Sequence, residues 1–164
     1  MQIANFKEMY IAELQELASM ECLLGRALKQ MADAASHPSL KDAFRKHQDE
    51  TLRQQERVRS ILEHHKADPD RHTDQSVQAL IAETVKMMKM LKGADLRDAA
   101  LVASAQKLEH YEIAAYGSAA ALAGQLDLRD DQKRLHTIME EEKRADQLLT
   151  ALAKSEVNQD AAAA

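Results

Sequence analysis

Residues 102–123, with the sequence VASAQKLEHYEIAAYGSAAALA, decide the class of fold. Apolar or small residues recur there in alternating steps of three and four, which is the spacing of a helix that directs one face into a bundle. Two positions of this seam hold carboxylates instead of apolar residues. A carboxylate directed into a bundle costs several kcal/mol unless it is protonated, paired or bound to a cation. The seam consists of Val102, Ala105, Glu109, Glu112, Tyr116, Ala119 and Ala123.

Three other segments have the same seam, and each carries polar residues near its middle. Glu21 interrupts the leucines of the first segment, and Glu142 interrupts the last. The second segment has His47 on its seam, with Glu50 beside it on the same inward arc. A single polar residue at such a position more often sets helix register or oligomeric state than it binds a metal. Five glutamates at mid-helix indicate a common cause.

The chain is predicted to be all-α, a ferritin-like four-helix bundle with an additional short crossover helix. It has no alternating Val/Ile/Thr-rich runs, and it contains only 4 Gly, 2 Pro and no Trp in 164 residues. The connection between the second and third long helices is about 30 residues, which is enough to travel the length of a bundle. A plain five-helix up-and-down bundle is the alternative. We expect one domain over residues 1–154 and a disordered tail over residues 155–164.

Helix ends are marked by turn and capping residues. Pro38 is suited to the first turn of the second helix, and residues 66–70 form a polar linker. Thr73 or Asp74 can cap the short helix. Two further pairs of aspartates, spaced three apart, are expected to start the last two long helices: Asp95 with Asp98, and Asp127 with Asp130.

The carboxylates are expected to lie at one height in the bundle. In an antiparallel hairpin, residues equally far from the loop face each other. Glu109 and Glu142 are equally far from the loop predicted at residues 125–126. Glu21 and Glu50 are offset by about four residues, or ~6 Å along the helix. Each glutamate is also near the middle of its helix, so both hairpins deliver carboxylates to one layer.

A pair of divalent cations would neutralise such a layer, as in the carboxylate di-metal sites of ferritin-like bundles. The predicted metal-binding residues are Glu21, Glu50, Glu109, Glu112 and Glu142, with His47 as a ligand or as the hydrogen-bonding partner of one. Mostly oxygen donors with one imidazole favour iron, two ions per chain, with manganese as the alternative. His110 is expected to point away from the layer.

Composition restricts the partners. The net charge of -5 leaves no basic face for nucleic acid. Cys22 is the only cysteine, so neither a disulfide framework nor a thiolate metal site is expected. The N-terminal residues lack the pattern of a signal peptide, and no apolar run approaches the ~20 residues that span a membrane. We expect a cytoplasmic protein.

Specific stretches resemble a known family. Ala105–Tyr116 (AQKLEHYEIAAY), His47-x-x-Glu50-Thr51 and Glu141-Glu142-Lys143 are similar to the YciF-like family of bacterial, stress-associated, ferritin-like proteins, and the resemblance covers residues 3–154. It implies a four-helix bundle with an extra crossover helix, often as a dimer, and it places the family's metal residues at the five glutamates. Rubrerythrin is similar in plan, but its usual Glu-x-x-His is absent here, because Arg53 and Ala145 stand at those positions.

The function expected from these features is oxidation of ferrous iron by a small oxidant, oxygen or peroxide, in a stress response. The alternative is a non-enzymatic structural or stress-interaction protein that keeps a vestigial metal site. The scarcity of histidine ligands favours this alternative, whereas the seam positions of the glutamates favour a working centre. We also expect a homodimer, because the apolar arc of the short helix exceeds what one bundle face covers.

Overall fold

The computed structural model describes residues 3–163. Met1, Gln2 and Ala164, at the outer limits of the domain and tail expected from the sequence, lie outside the described residues. Five α-helices are followed by a π-helical turn and a short terminal helix. Their bounds are α1 Phe6–Ala34, α2 Pro38–His64, α3 Gln75–Met90, α4 Ala94–Gln125, α5 Arg129–Leu152, the π-turn Ala153–Val157 and α6 Asn158–Ala163.

The four long helices form two hairpins, α1 with α2 and α4 with α5, which pack side by side. Helix α1 also contacts α4, and α2 contacts α5. Helix α3 belongs to the long connection between the hairpins and packs against α4 and α1. The prediction of a ferritin-like four-helix bundle with a short crossover helix is therefore confirmed. No helix among the described residues combines the length and apolar character needed to cross a membrane.

The helix starts show which capping predictions hold. Helix α2 begins at Pro38, as predicted, and Asp74 caps α3 by accepting a hydrogen bond from the backbone N–H of Val77. Helix α4, in contrast, is preceded by Gly93, whose φ of 105° suits glycine best. The last long helix starts after Leu128 without a side-chain cap.

Asp98 caps a different helix from the one that its sequence position suggests. Its carboxylate oxygens accept the backbone N–H groups of Ser36 at 2.9 Å and His37 at 2.7 Å. These donors lie at the start of α2, and Asp98 is only 2% exposed. A residue of the second hairpin thus satisfies unpaired N–H groups of the first and ties the two together.

The C-terminal stretch, predicted to be disordered, is helical in the structure as far as Ala163. Val157 is buried, and Glu156 lies 3.3 Å from Nε2 of His37 at the start of α2. The described part of this stretch packs against α4 and α5 and lengthens the bundle at that end.

Candidate metal centre

Helix α4 supplies two carboxylates to the interior, Glu109 and Glu112. Their spacing of three residues places them on one face, one turn apart. Each is 1% exposed, and the surrounding seam is made of alanines with Tyr116. Small side chains next to the glutamates leave space between the helices, so the fold leaves room for the carboxylates where leucines would otherwise fill the core.

His47 of α2 and Glu142 of α5 approach the same point. His47 Nε2 lies 2.9 Å from Glu109 Oε1 and 3.6 Å from Glu142 Oε2. One donor atom from each of His47, Glu109, Glu112 and Glu142 falls within 4.8 Å of the others, and all four residues are buried. We call these four residues, which could hold a metal ion, the metal cluster. Three helices contribute to it.

Glu21 of α1 lies beside the metal cluster. It is 0% exposed and accepts a hydrogen bond from the hydroxyl of Tyr116, the residue one turn beyond Glu112. The charges of His47 and Glu109 act on it as well. Tyr116 of α4 therefore connects the carboxylate of α1 to the three helices that form the metal cluster, α2, α4 and α5.

A chain of polar side chains runs from the metal cluster to the surface. The amide Nε2 of Gln54 donates to Glu142 and, at 3.1 Å, to Oε2 of Glu141. Glu141 in turn accepts two hydrogen bonds from the guanidinium of Arg57. Arg57 reaches in from the flank of the bundle, and its positive charge also acts on Glu21.

The carboxyl groups of Glu21, Glu112 and Glu142 favour the protonated state because they are buried close to other carboxylates. Burial, together with the charges of neighbouring glutamates, raises the pKa of Glu142 to about 9 and of Glu21 to about 8, although His47 opposes both shifts. Burial and the charge of Glu142 also raise the pKa of Glu112 well above its usual range. Burial alone would lower the pKa of His47, but Glu109 and Glu142 outweigh it and raise that pKa to about 9. Without a cation, the site therefore holds protons at neutral pH.

The interior of the site has more polar atoms than partners for them. Polar atoms are costly to bury without a partner. The carboxylate oxygens and the imidazole nitrogen of this site are ligand types that iron and manganese use. The donor set therefore fits a metal of this kind. The buried atoms without a hydrogen bond at this level are Glu21 Oε2, His47 Nδ1, Thr51 Oγ1, Gln54 Oε1, Glu109 Oε2, Glu112 Oε1 and Glu142 Oε2.

The structure places the remaining predicted ligand, Glu50, outside the metal cluster. It is half-buried and lines a surface cavity of about 560 Å³ together with Arg53, Arg57, Arg134 and Glu141. Thr51 and Gln54 face the interior at that level. A metal-binding role for Glu50 stays a prediction, and it would require the side chain to turn inward. His110 is largely exposed, 3.6 Å from Asp146.

Three residues of the site's surroundings were not assigned a role by the sequence pattern. Gln54 occupies a seam position of α2, and a polar residue there was the signal that could have identified it. Arg57 and Glu141 lie on helix flanks, where charged residues are usual and give no signal. Their contact becomes visible only when α2 and α5 are packed together.

Comparison with known proteins identifies the family of the chain. A family model described as "Domain of unknown function (DUF892)" matches residues 5–162. Protein YciF of Escherichia coli (strain K12) is 39% identical over 162 residues, which cover 98% of each sequence. The crystal structure of the E. coli stress protein YciF matches with a TM-score of 0.90 at 39% identity, over 95% of this chain and 99% of that chain. YcfI from Rhodopseudomonas palustris matches with a TM-score of 0.88 at 30% identity, over 91% of this chain and 95% of that one. The chain therefore belongs to the DUF892 family of YciF-like helical-bundle proteins.

Proposed function

We propose that this protein binds two transition-metal ions in the middle of its bundle, iron in the first place and manganese as the alternative. The observation that carries the proposal is the metal cluster, in which four buried donor atoms lie within 4.8 Å of one another. Acidic groups gathered on a protein surface often have no such role. Here the residues are buried, and several of their oxygens have no other partner.

Charge supports two ions better than one. Four buried carboxylates, those of Glu21, Glu109, Glu112 and Glu142, carry a charge of about -4 when ionised, which two divalent ions balance. Glu109 and Glu112 are positioned to hold ions from α4, while Glu142 faces them from α5. Glu21 would add a carboxylate from α1, and His47 would supply the single imidazole. An oxygen-rich set of this kind favours iron or manganese over zinc or copper.

We further propose that the centre oxidises ferrous iron with oxygen or peroxide. Bound metal would supply the redox chemistry, namely the transfer of electrons from ferrous iron to the oxidant. The protein's own residues would position the substrate iron and exclude bulk water. Gln54 donates to Oε1 of Glu142, whereas His47 lies near Oε2. The hydroxyl of Tyr116 donates to Glu21, so both carboxylates keep a fixed orientation.

A protective role under stress is proposed from the relative, because the matching E. coli protein is described as a stress protein. Removal of ferrous iron would limit the reactions of that ion with peroxide. The same chemistry requires a small, diffusible oxidant and no large substrate pocket. The proposal therefore does not depend on the surface cavities.

A non-enzymatic structural role is the second candidate. One observation favours it: the metal cluster contains a single histidine, and nitrogen ligands tune the oxygen-activating centres of ferritin-like proteins. YcfI, moreover, is described provisionally as a structural protein. In that role the metal would stabilise the bundle by neutralising its buried carboxylates, and turnover would be absent.

Two measurements test the proposal. Metal analysis of protein purified without added metal or chelator, followed by anaerobic titration with ferrous iron, should give about two ions per chain. Protein that binds neither iron nor manganese at micromolar concentration would overturn the proposed centre. The double variant Glu109→Ala, Glu142→Ala should lose binding, while Glu63→Gln, an exposed change on α2, should retain it.

Oxygen or peroxide is then added to the ferrous-loaded protein, and ferric iron is followed by absorbance. Oxidation that is faster than in the double variant supports the enzymatic role. Tight binding of two ions with oxidation no faster than in that variant would instead support the structural role.

A further inference from the structure

A second cluster of titratable side chains joins three helix ends at one end of the bundle. Lys7 and Tyr10 lie in the first two turns of α1, His65 directly follows α2, and Asp131 is in the first turn of α5. Lys7 Nζ is 3.0 Å from His65 Nδ1, and His65 Nε2 is 2.6 Å from Asp131 Oδ2. The Tyr10 hydroxyl donates to the same carboxylate oxygen at 3.0 Å.

The chemistry of the two neighbours fixes the state of His65. An ammonium group has only hydrogen-bond donors, and an ionised carboxylate has only acceptors. Nδ1 therefore accepts from Lys7, and the N–H on Nε2 donates to Asp131. His65 is a neutral base that faces an amine, with a carboxylate behind it. An amine, a base and a carboxylate in this order form the arrangement that activates nucleophiles in catalytic triads.

Lys7 differs from the other paired lysines of the described residues. Lys29, Lys86 and Lys143 each pair with a carboxylate, which holds the ammonium proton in place. Lys7 pairs with a nitrogen that can take that proton. Burial lowers the pKa of Lys7, although the charge of Asp131 opposes the shift. Lys7 is only half-buried, so a small reagent can reach it from solvent.

We propose that Lys7 is an acylation site that reacts with small activated acyl donors of the acyl-phosphate class, with His65 as its base and Asp131 as the group that orients the base. His65 Nδ1 removes one proton from the ammonium and passes it to solvent. The Nζ lone pair then attacks the carbonyl carbon, the bond from this carbon to the phosphate oxygen breaks, and phosphate leaves with the second proton. The product is an amide.

Acylation would change the contacts at this end of the bundle. The neutral amide no longer provides a cation beside Asp131 or over the ring of Tyr10, where Lys7 Nζ now lies 5.3 Å from the ring centre. One N–H remains to donate to His65. The modification would therefore alter the junction of α1, α2 and α5 without touching the metal cluster.

The test is incubation of the full chain with acetyl phosphate near pH 7.5, with the acetylated fraction of each lysine followed over time by peptide mass spectrometry. Lys29, which is exposed and paired with Asp33, is the reference in the same molecule. Lys7 is expected to react at least tenfold faster than Lys29. Equal or slower reaction of Lys7 would overturn the proposal.

Two variants test the roles of the base and the carboxylate. His65→Gln can still accept from Lys7 and donate to Asp131, but it takes no proton, so the rate at Lys7 should fall to that of Lys29. Asp131→Asn removes the carboxylate that orients His65 and should lower the rate, even though it also removes a charge that raises the pKa of Lys7. It serves as a second test if His65→Gln does not fold. The matched control is His110→Gln, an exposed histidine on α4 that should leave the rate unchanged. An unaltered rate at Lys7 in a folded His65→Gln protein, checked by circular dichroism, would refute the role of His65.

Discussion

Metal binding to this protein should be strongly pH-dependent, because the site holds protons that a metal must displace. The pKa of His47 and that of Glu142 are raised to about 9, and the pKa of Glu21 to about 8. The pKa of Glu112 is also raised, by burial first and by Glu142 next. At pH 7, His47, Glu142 and Glu21 are therefore mainly protonated in the metal-free protein, and the raised pKa of Glu112 acts in the same direction. The coordinating atoms of the metal-bound protein would carry no protons.

The size of the effect follows from the number of protons released. Each proton displaced makes the association constant rise about tenfold per pH unit, or about 1.4 kcal/mol. Four groups set the upper limit, and release of at least two predicts a rise of about 100-fold per pH unit between pH 6.5 and 7.5. The sign is fixed by the raised pKa values: affinity increases with pH, and the slope flattens as pH passes 9 and the groups ionise without metal.

Manganese(II) is the suitable probe, because it is not oxidised during the titration. Its affinity is measured by calorimetry at several pH values, each in two buffers of different ionisation enthalpy, so that proton release is obtained directly. Glu142→Gln should lower the number of protons released by about one, because the pKa of Glu142 is raised to about 9, and the exposed control Glu63→Gln should leave it unchanged. An affinity that changes less than tenfold per pH unit would refute the reasoning, since it would mean that the site is already ionised.

Four further predictions follow from the same structure. Without metal, the free energy of unfolding should fall as pH rises from 5 to 9. Buried carboxyls with raised pKa values stabilise the fold most below about pH 4.5, and this contribution is lost as pH rises through 8 to 9. In urea titrations with chelator, Glu142→Gln should show a smaller fall than wild type, and parallel curves would count against this. Asp98→Ala should destabilise the protein by about 1–3 kcal/mol, because two N–H groups at the start of α2 lose their acceptor. A change below about 0.5 kcal/mol in the free energy of unfolding from urea titration would mean that water replaces the carboxylate. Ferrous oxidation should stop after about two ions per chain, since nothing in the described bundle encloses a mineral, and sustained turnover in a stopped-flow assay would contradict this. We also propose a homodimer, because Met87, Met90 and Leu96 are exposed apolar residues in and after α3; light scattering at about 50 μM should give twice the chain mass, and a monomer would oppose the proposal.

Much of the fold could be predicted from the sequence because the helix seams are long and regular. The spacing of Glu109 and Glu112 fixed their direction, and the length of each hairpin fixed the height of Glu142. These are local properties, since both depend only on the helical repeat and on the position of the loop. The family and the helical bundle are confirmed, while the metal, the reaction and the dimer stay predictions.

The tertiary structure decided which polar side chains reach the interior. Glu50 follows His47 by three residues, so its direction differs by about 60° around α2, and a seam pattern does not determine which flank faces a neighbouring helix. The packing of α2 against α5 turns Gln54 toward Glu142 and leaves Glu50 at a surface cavity. Asp98 likewise caps α2 instead of its own helix, because the two hairpins meet there. The sequence by itself determined the helices and the layer of carboxylates, because both follow from a periodic repeat. Contacts between the flanks of different helices depend on how each helix is rotated about its axis, and only packing sets that rotation.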